Sequence, residues 1–230
     1  MQPEKTLQQY FEEFRKQKQN SLRKIKQNPT PKNRSAEQKQ VLREKFLSLL
    51  HSHAGVPYCR RNHPSDSDLF NYSYELDCCA LVRQALKQME DELDIKLGLW
   101  NQAYFFDVLP LKYECHTQIV PGDLILYIGK YPGEKQQKHN VVHVEVYEGT
   151  ENKPERCFGS RWNDGVVQYF DSYQFKASTW TLEKIWFCSI DTWLDGVCTS
   201  CCEEHPWEIE EGKGIGKKSI FYDASDYTAE

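Results

Sequence analysis

The sequence predicts an α+β domain with helices packed on one side of a curled antiparallel sheet. Two observations carry this. Apolar residues recur at helical spacing in the first half of the chain, at 36–51 and again from Cys78 onward. The second half is a succession of short runs rich in β-branched and aromatic residues, separated by turn formers, with no internal repeat. Helices followed by consecutive strands are the order of an α+β domain rather than of alternating βαβ units.

The elements follow in order. Residues 4–27 have helical spacing, with Leu7, Tyr10, Phe11, Phe14, Leu22 and Ile25 set among charges. That narrow stripe needs a partner surface, because short isolated helices are marginal. Residues 28–35 contain Pro29 and Pro31 and read as a linker. Ser35 and Gln38 form a capping box for a helix running to about His51, whose core face is Val41, Leu42, Phe46, Leu49 and Leu50. A polar loop spans 59–73. Asp77 then caps a helix beginning at Cys78, with Leu81, Val82, Ala85, Leu86, Met89 and Leu93 on its apolar side. The aromatic run from Trp100 to Phe106 has no assignable period. Strands are expected at Asp123–Ile128, Val141–Tyr147, Gly165–Phe170 and Leu182–Ile190. In the second of these Val142, Val144 and Val146 share one face, and His143, Glu145 and Tyr147 the other. The organisation expected is a basic helical arm and linker at 1–34, a folded domain at 35–195, and a Cys-rich turn with an acidic tail at 196–230.

Charge is unevenly spread. Residues 1–45 carry 12 Lys and Arg against 5 Asp and Glu, leaving 17 against 29 for the remainder. The basic arm is expected to seek an acidic protein surface or peptide; its competing role is that of a solvated helix and linker. No membrane or nucleic-acid partner is expected. The N-terminus lacks an apolar signal core, and no run of about 18 apolar residues exists. An intracellular, cytoplasmic protein is expected, its nine cysteines reduced. Long polar ends would suit a cytoskeletal or ciliary scaffold.

The chemistry is concentrated at Cys78 and His143. A thiol in the first turn of a helix feels the positive end of the macrodipole and free backbone N–H groups, both of which favour thiolate. His143 arrives on a strand between valines, where a neutral or base-poised imidazole is reasonable. A helix-borne thiol and a strand-borne imidazole form a nucleophile–base pair. Cys79 is the alternative nucleophile if the register slips by one, and His139 the alternative base. For Cys78 alone, the competing reading is a buried small hydrophobe.

Four short motifs occur in one order: Gly55-Val56-Pro57-Tyr58, Asp77-Cys78-Cys79-Ala80-Leu81-Val82, Pro121-Gly122-Asp123-Leu124 and His143-Val144-Glu145-Val146-Tyr147. Over about residues 40–190 the chain thereby resembles the NlpC-type cysteine peptidases. The resemblance implies a papain-like fold, Cys78 as nucleophile, His143 as general base, and Tyr58 near the nucleophile as a binder of the reacting carbonyl. It also implies cleavage of amide bonds next to γ-linked glutamate. Three positions depart from the family pattern. Cys79-Ala80 replaces Ser-Gly, Glu145 replaces a small residue, and Cys157 and Phe158 stand where a third polar residue would orient the imidazole. Ser160 or a backbone carbonyl is the expected substitute. Glu145 is expected to face solvent, with reception of a cationic group or obstruction of a substrate path as its alternatives. The competing function is a catalytically inactive module of this fold serving in a larger assembly.

Cys198, Cys201 or Cys202, and His205 supply three thiolate or imidazole ligands of zinc type. Structural zinc sites take four, so Cys188 or Cys115 would have to complete the set. Packed cysteines in a turn are the default, with no other cofactor expected. Gly212 to Ser219 lacks the spacing of a phosphate loop.

Overall fold

In the computed structural model the described residues are 30–59, 62–71, 74–95, 102–133 and 138–198. The expected arm helix, the first residues of the aromatic run and the acidic tail lie outside them. Among the described residues five α-helices and six strands are formed: α1 (Ala36–His51), α2 (Cys78–Lys87), α3 (Glu90–Leu93), α4 (Gln102–Val108), β1 (Lys112–Tyr113), β2 (Leu124–Lys130), β3 (Val141–Tyr147), β4 (Cys157–Ser160), β5 (Val167–Phe170), β6 (Thr181–Cys188) and α5 (Asp191–Leu194). The strands make one antiparallel sheet in the order β1-β6-β2-β3-β4-β5. This is the α+β architecture the sequence predicts. None of the described helices is long and apolar enough to cross a membrane.

The capping box forms as read. The Ser35 hydroxyl accepts from the Gln38 N–H, and the Gln38 side chain accepts from the Ser35 N–H. The buried face of α1 differs from expectation at two positions. Val41 is exposed, while Arg43 is buried beside Phe46 and Leu50. Arg43 is drawn inward by the carboxylates of Asp123 and Asp191 at 2.6 and 2.7 Å. The Pro-Gly-Asp-Leu motif thus serves structure. Gly122 takes a positive φ, and its missing side chain leaves room for the Arg43 stem.

Both faces of the sheet are covered. Leu124, Leu126, Val141, Val144, Val146 and Phe158 pack with the helices on one face. Ile125, Tyr127, Val142, Tyr147 and Cys157 pack on the other, against Tyr173 and Trp180 of the β5–β6 connection. The simple alternation expected for 141–147 fails at its start. Tyr127 pairs with His143 and Ile128 with Val141, so Val142 is an extra, bulged residue that turns to the far face. All seven residues of β3 are buried, which corrects the expectation of a solvent-facing Glu145. The aromatic run without a period forms α4 at its described end, with Gln102, Ala103, Tyr104, Phe105 and Val108 buried. A helix enclosed on several sides has no polar stripe from which to read a period.

Candidate active site

The turn before α2 is secured on three sides. The Leu76 N–H donates to the Pro57 carbonyl at 3.0 Å, the Tyr58 N–H to the Gly165 carbonyl at 2.7 Å, and the Ser160 hydroxyl to the Leu76 carbonyl at 2.7 Å. Ser160 therefore fixes the entry to the helix. Asp77 is the N-cap, accepting from the Ala80 N–H at 2.7 Å. Cys78 occupies the first helical position with 8% of its surface exposed.

β3 and β4 pair only through Val146–Phe158 and Tyr147–Cys157. Nearer its start, β3 leaves its β4-facing edge to α2, which brings the Val144 N–H near enough to the Cys78 sulfur to favour its thiolate. The His143 ring stands close enough to that sulfur to favour its thiolate. The predicted pair thus meets, because the strands part there and a helix N-terminus fills the gap.

Cys78 is held well below the ordinary thiol range by the Cys79 thiol, the His143 ring and the Val144 N–H, against burial, which acts the other way. Cys79 has one proton and two acceptors, the Cys78 sulfur at 3.9 Å and Gln102 Oε1 at 2.7 Å. The shorter contact is the stronger claim on that proton, which leaves His143 as the main support of the thiolate. Burial would lower the His143 pKa, but the charges of Cys78 and Glu145 outweigh it and raise the imidazole to about 9. Burial and the neighbouring Cys78 push Asp77 up to about 6. An acid whose folded pKa is raised loses stability as pH rises from its unfolded value of 3.8 to about 6. Asp77→Asn keeps the cap and removes the half-buried charge. Its melting temperature at pH 7 should match or exceed wild type, an advantage that vanishes near pH 3. Asp77→Ala should cost about 1 kcal/mol. Thermal melts at the two pH values check both.

Behind the imidazole stands Glu145, whose Oε1 lies 3.2 Å from His143 Nε2. Neither Ser160 nor a carbonyl was needed for that place. Two residues apart on one strand, His143 and Glu145 project from the same face. The carboxylate also accepts from the Tyr127 hydroxyl, the Cys157 thiol and the Arg161 guanidinium. Cys157, one of the two residues standing at the expected orienter position, thus contacts Glu145 rather than the ring. Arg161 and Gln102 were not anticipated as site residues. Gln102 donates to the Val141 carbonyl at 2.9 Å while holding Cys79, and so bridges α2 to the start of β3. A charged residue inside an apolar strand was the available signal for Glu145.

Tyr58 lies within electrostatic reach of Cys78, and its ring meets Trp162 edge-on at 5.4 Å. Burial raises its hydroxyl pKa, so it is a proton donor rather than an anion. Cys79 is fully enclosed. His139 stands away from this cluster and pairs with Asp107 at 2.6 Å. Of the zinc candidates, Cys201, Cys202 and His205 lie outside the described residues. Cys198 is buried, with its sulfur 3.6 Å from the Tyr104 hydroxyl. Among the described residues Asp77, Cys78 and Cys79 are a metal-capable grouping, with ligand atoms within 4.8 Å of one another. Their polar atoms are engaged in the cap and in the Gln102 contact.

No protein-family profile matches the chain, and no curated protein matches it at a significant level. Solved structures do. The P60 domain of the MAP1204 antigen of M. avium subspecies paratuberculosis is 18% identical, with a TM-score of 0.41, over 66% of this chain and 95% of that one. NlpC1 of Trichomonas vaginalis is 22% identical with a TM-score of 0.36, over 68% of this chain and 47% of that one, so the chain spans about half its length. The peptidoglycan hydrolase RipB of Mycobacterium tuberculosis is 17% identical with a TM-score of 0.36, over 80% and 85%.

Proposed function

We propose that the protein is a thiol hydrolase in which Cys78 and His143 cleave an amide bond through an acyl-enzyme. The observation that carries this is Cys78 at a helix N-terminus within interaction range of a His143 ring that Glu145 holds from behind, the sulfur favoured as thiolate and the imidazole as the cation. Such a pair is poised before substrate arrives. The sulfur attacks the amide carbonyl carbon and the C–N bond then breaks. The His143 cation gives its proton to the departing amine. A water molecule, deprotonated by the now neutral His143, attacks the thioester. The acid leaves and the thiolate–imidazolium pair is restored. The developing oxyanion would be held by the Cys78 N–H, at the first helical position where no intrahelical partner exists, and by the Tyr58 hydroxyl. The substrate class we propose is an amide next to γ-linked glutamate. The basic residues of 1–45 suit an acidic protein or peptide as the carrier of that bond.

The test begins with the thiol. Iodoacetamide at pH 5.5, followed by mass mapping, should label Cys78 ahead of the other cysteines. Among the described residues Cys115 is the rival, being exposed and lowered by its hydrogen bond to Thr117. It should be replaced by Ser in a control. A panel of γ-glutamyl peptides should then be cleaved, and Cys78→Ala should reduce turnover to background. Equal labelling of all accessible thiols with no turnover would discard the hydrolase reading in favour of a binding module.

A further inference from the structure

Glu145 has less than 2% of its surface exposed, yet it is ringed by donors. Oε1 accepts from His143 Nε2 at 3.2 Å and from Arg161 Nε at 2.6 Å. Oε2 accepts from the Tyr127 hydroxyl at 2.6 Å, the Cys157 thiol at 3.0 Å and Arg161 Nη2 at 3.1 Å. The Arg161 fork is therefore bidentate, the geometry that both attracts and orients a carboxylate. Arg161 is itself held: its guanidinium lies between the Phe170 and Phe175 rings, 3.7 and 3.9 Å from their centroids, and Nη2 also donates to the Ser172 carbonyl at 2.8 Å. The same β5–β6 connection sends Phe175 and Trp180 against the His143 ring, at 5.6 and 6.1 Å between centroids. On β4, Gly159 leaves the space Glu145 fills, since a Cβ there would stand 2.9 Å from Glu145 Cγ.

The geometry points to the Glu145–Arg161 ion pair as the positioning element of this site, taking the place of a neutral polar orienter on the neighbouring strand. The inference rests on the Cys78–His143 reading above and extends it. Neither residue touches the reacting atoms. Four charges of alternating sign stand in line: the guanidinium, the carboxylate, the imidazolium and the thiolate. Glu145 takes the Nε2 proton of the ring, so Nδ1 is the nitrogen presented to sulfur. Its negative charge also holds that ring as the cation. Arg161 lets a carboxylate stand there ionised, because a buried carboxylate without a cation would take up a proton and lose its hold on the ring. Burial opposes ionisation of Glu145, yet the contacts with His143 and Arg161 bring its pKa down to about 2.

The test reads the imidazole and the thiol separately. The pKa of His143 is followed by side-chain nitrogen NMR, and the pH dependence of Cys78 alkylation by iodoacetamide, in wild type, Glu145→Gln, Arg161→Lys and the doubly neutral Glu145→Gln/Arg161→Met. Near-UV circular dichroism at each pH establishes that the variant is folded. Glu145→Gln keeps the shape and removes the charge. His143 should then titrate at least one pH unit lower. Arg161→Lys should fall between, since an ammonium restores the charge but cannot grip both oxygens. The double variant, with no unpaired buried charge, keeps the measurement available if Glu145→Gln fails to fold, and should show the same fall in the His143 pKa. Folded variants whose melting temperature drops while His143 keeps its wild-type titration would overturn the inference and leave the pair a structural brace. If His143 titrates as expected but Cys78 has no privileged reactivity in wild type, the positioning role stands and the hydrolase reading falls.

Discussion

His143→Ala should slow alkylation of Cys78 at pH 6 by about 100-fold or more. Without the imidazolium the thiol moves back toward the ordinary cysteine value near 8.5, and each pH unit of that rise costs about tenfold in thiolate at acid pH. The Val144 N–H and the helix N-terminus remain, so the thiol should stop short of a model peptide's behaviour. Hydrolysis should fall further than alkylation. It needs the imidazolium as acid and then the imidazole as base, a service worth about 10²–10⁴. The pH profile carries the sign. In wild type the hydrolysis rate should decline as pH rises through about 9, where His143 loses the proton required by the leaving amine. On the acid side it should decline only where Cys78 takes up a proton, well below the ordinary thiol range. Alkylation should lack the alkaline decline, because it needs no proton donor. In His143→Ala both the reactivity at low pH and the alkaline limb should vanish. Alkylation unchanged by the substitution would show that the ring contributes nothing to the thiolate.

Arg43→Ala should be the most destabilising single change in the scaffold, lowering stability by about 3–5 kcal/mol. Its guanidinium ties α1 to the turn before β2 through Asp123 and to α5 through Asp191. Asp123 has 1% of its surface exposed and accepts N–H bonds from Val120 and Ile190, both at 3.0 Å. Both of those donors are neutral, and Arg43 is the cation against it. Removing Arg43 therefore strands a buried carboxylate. At about 2–4 °C per kcal/mol the melting temperature should fall by roughly 10 °C. Asp123→Asn on that background should restore part of the loss, since the stranded charge is then gone. A melting temperature within about 2 °C of wild type in Arg43→Ala would mean that the carboxylate finds water or another cation, and that the motif's aspartate is not enclosed as described.

Local chemistry made much of this molecule legible in the chain itself. The capping box at Ser35, the cap at Asp77 and the helical period after Cys78 depend on neighbours a few residues away, so they are printed in the sequence. So is the α+β order, because helix and strand periods are local. Cys78 and His143 stood out in the sequence for another reason. A thiol after a cap and an imidazole in an apolar strand are each out of place as mere packing.

Tertiary structure alone decided the rest. Whether Glu145 faces water depends on the β5–β6 connection folding over that face of the sheet, an event more than 25 residues away in sequence. Arg161 becomes part of the site only because Phe170, Phe175 and Ser172 come together around it. The bulge at Val142, the inward turn of Arg43 and the exposure of Val41 are likewise set by partners on other elements. The sequence determined which side chains could carry chemistry, since thiol, imidazole and carboxylate are properties of the residue. Their charge states and their alignment were left to the fold, because both depend on what is excluded from around them, and water is excluded only by distant parts of the chain arriving at the same place.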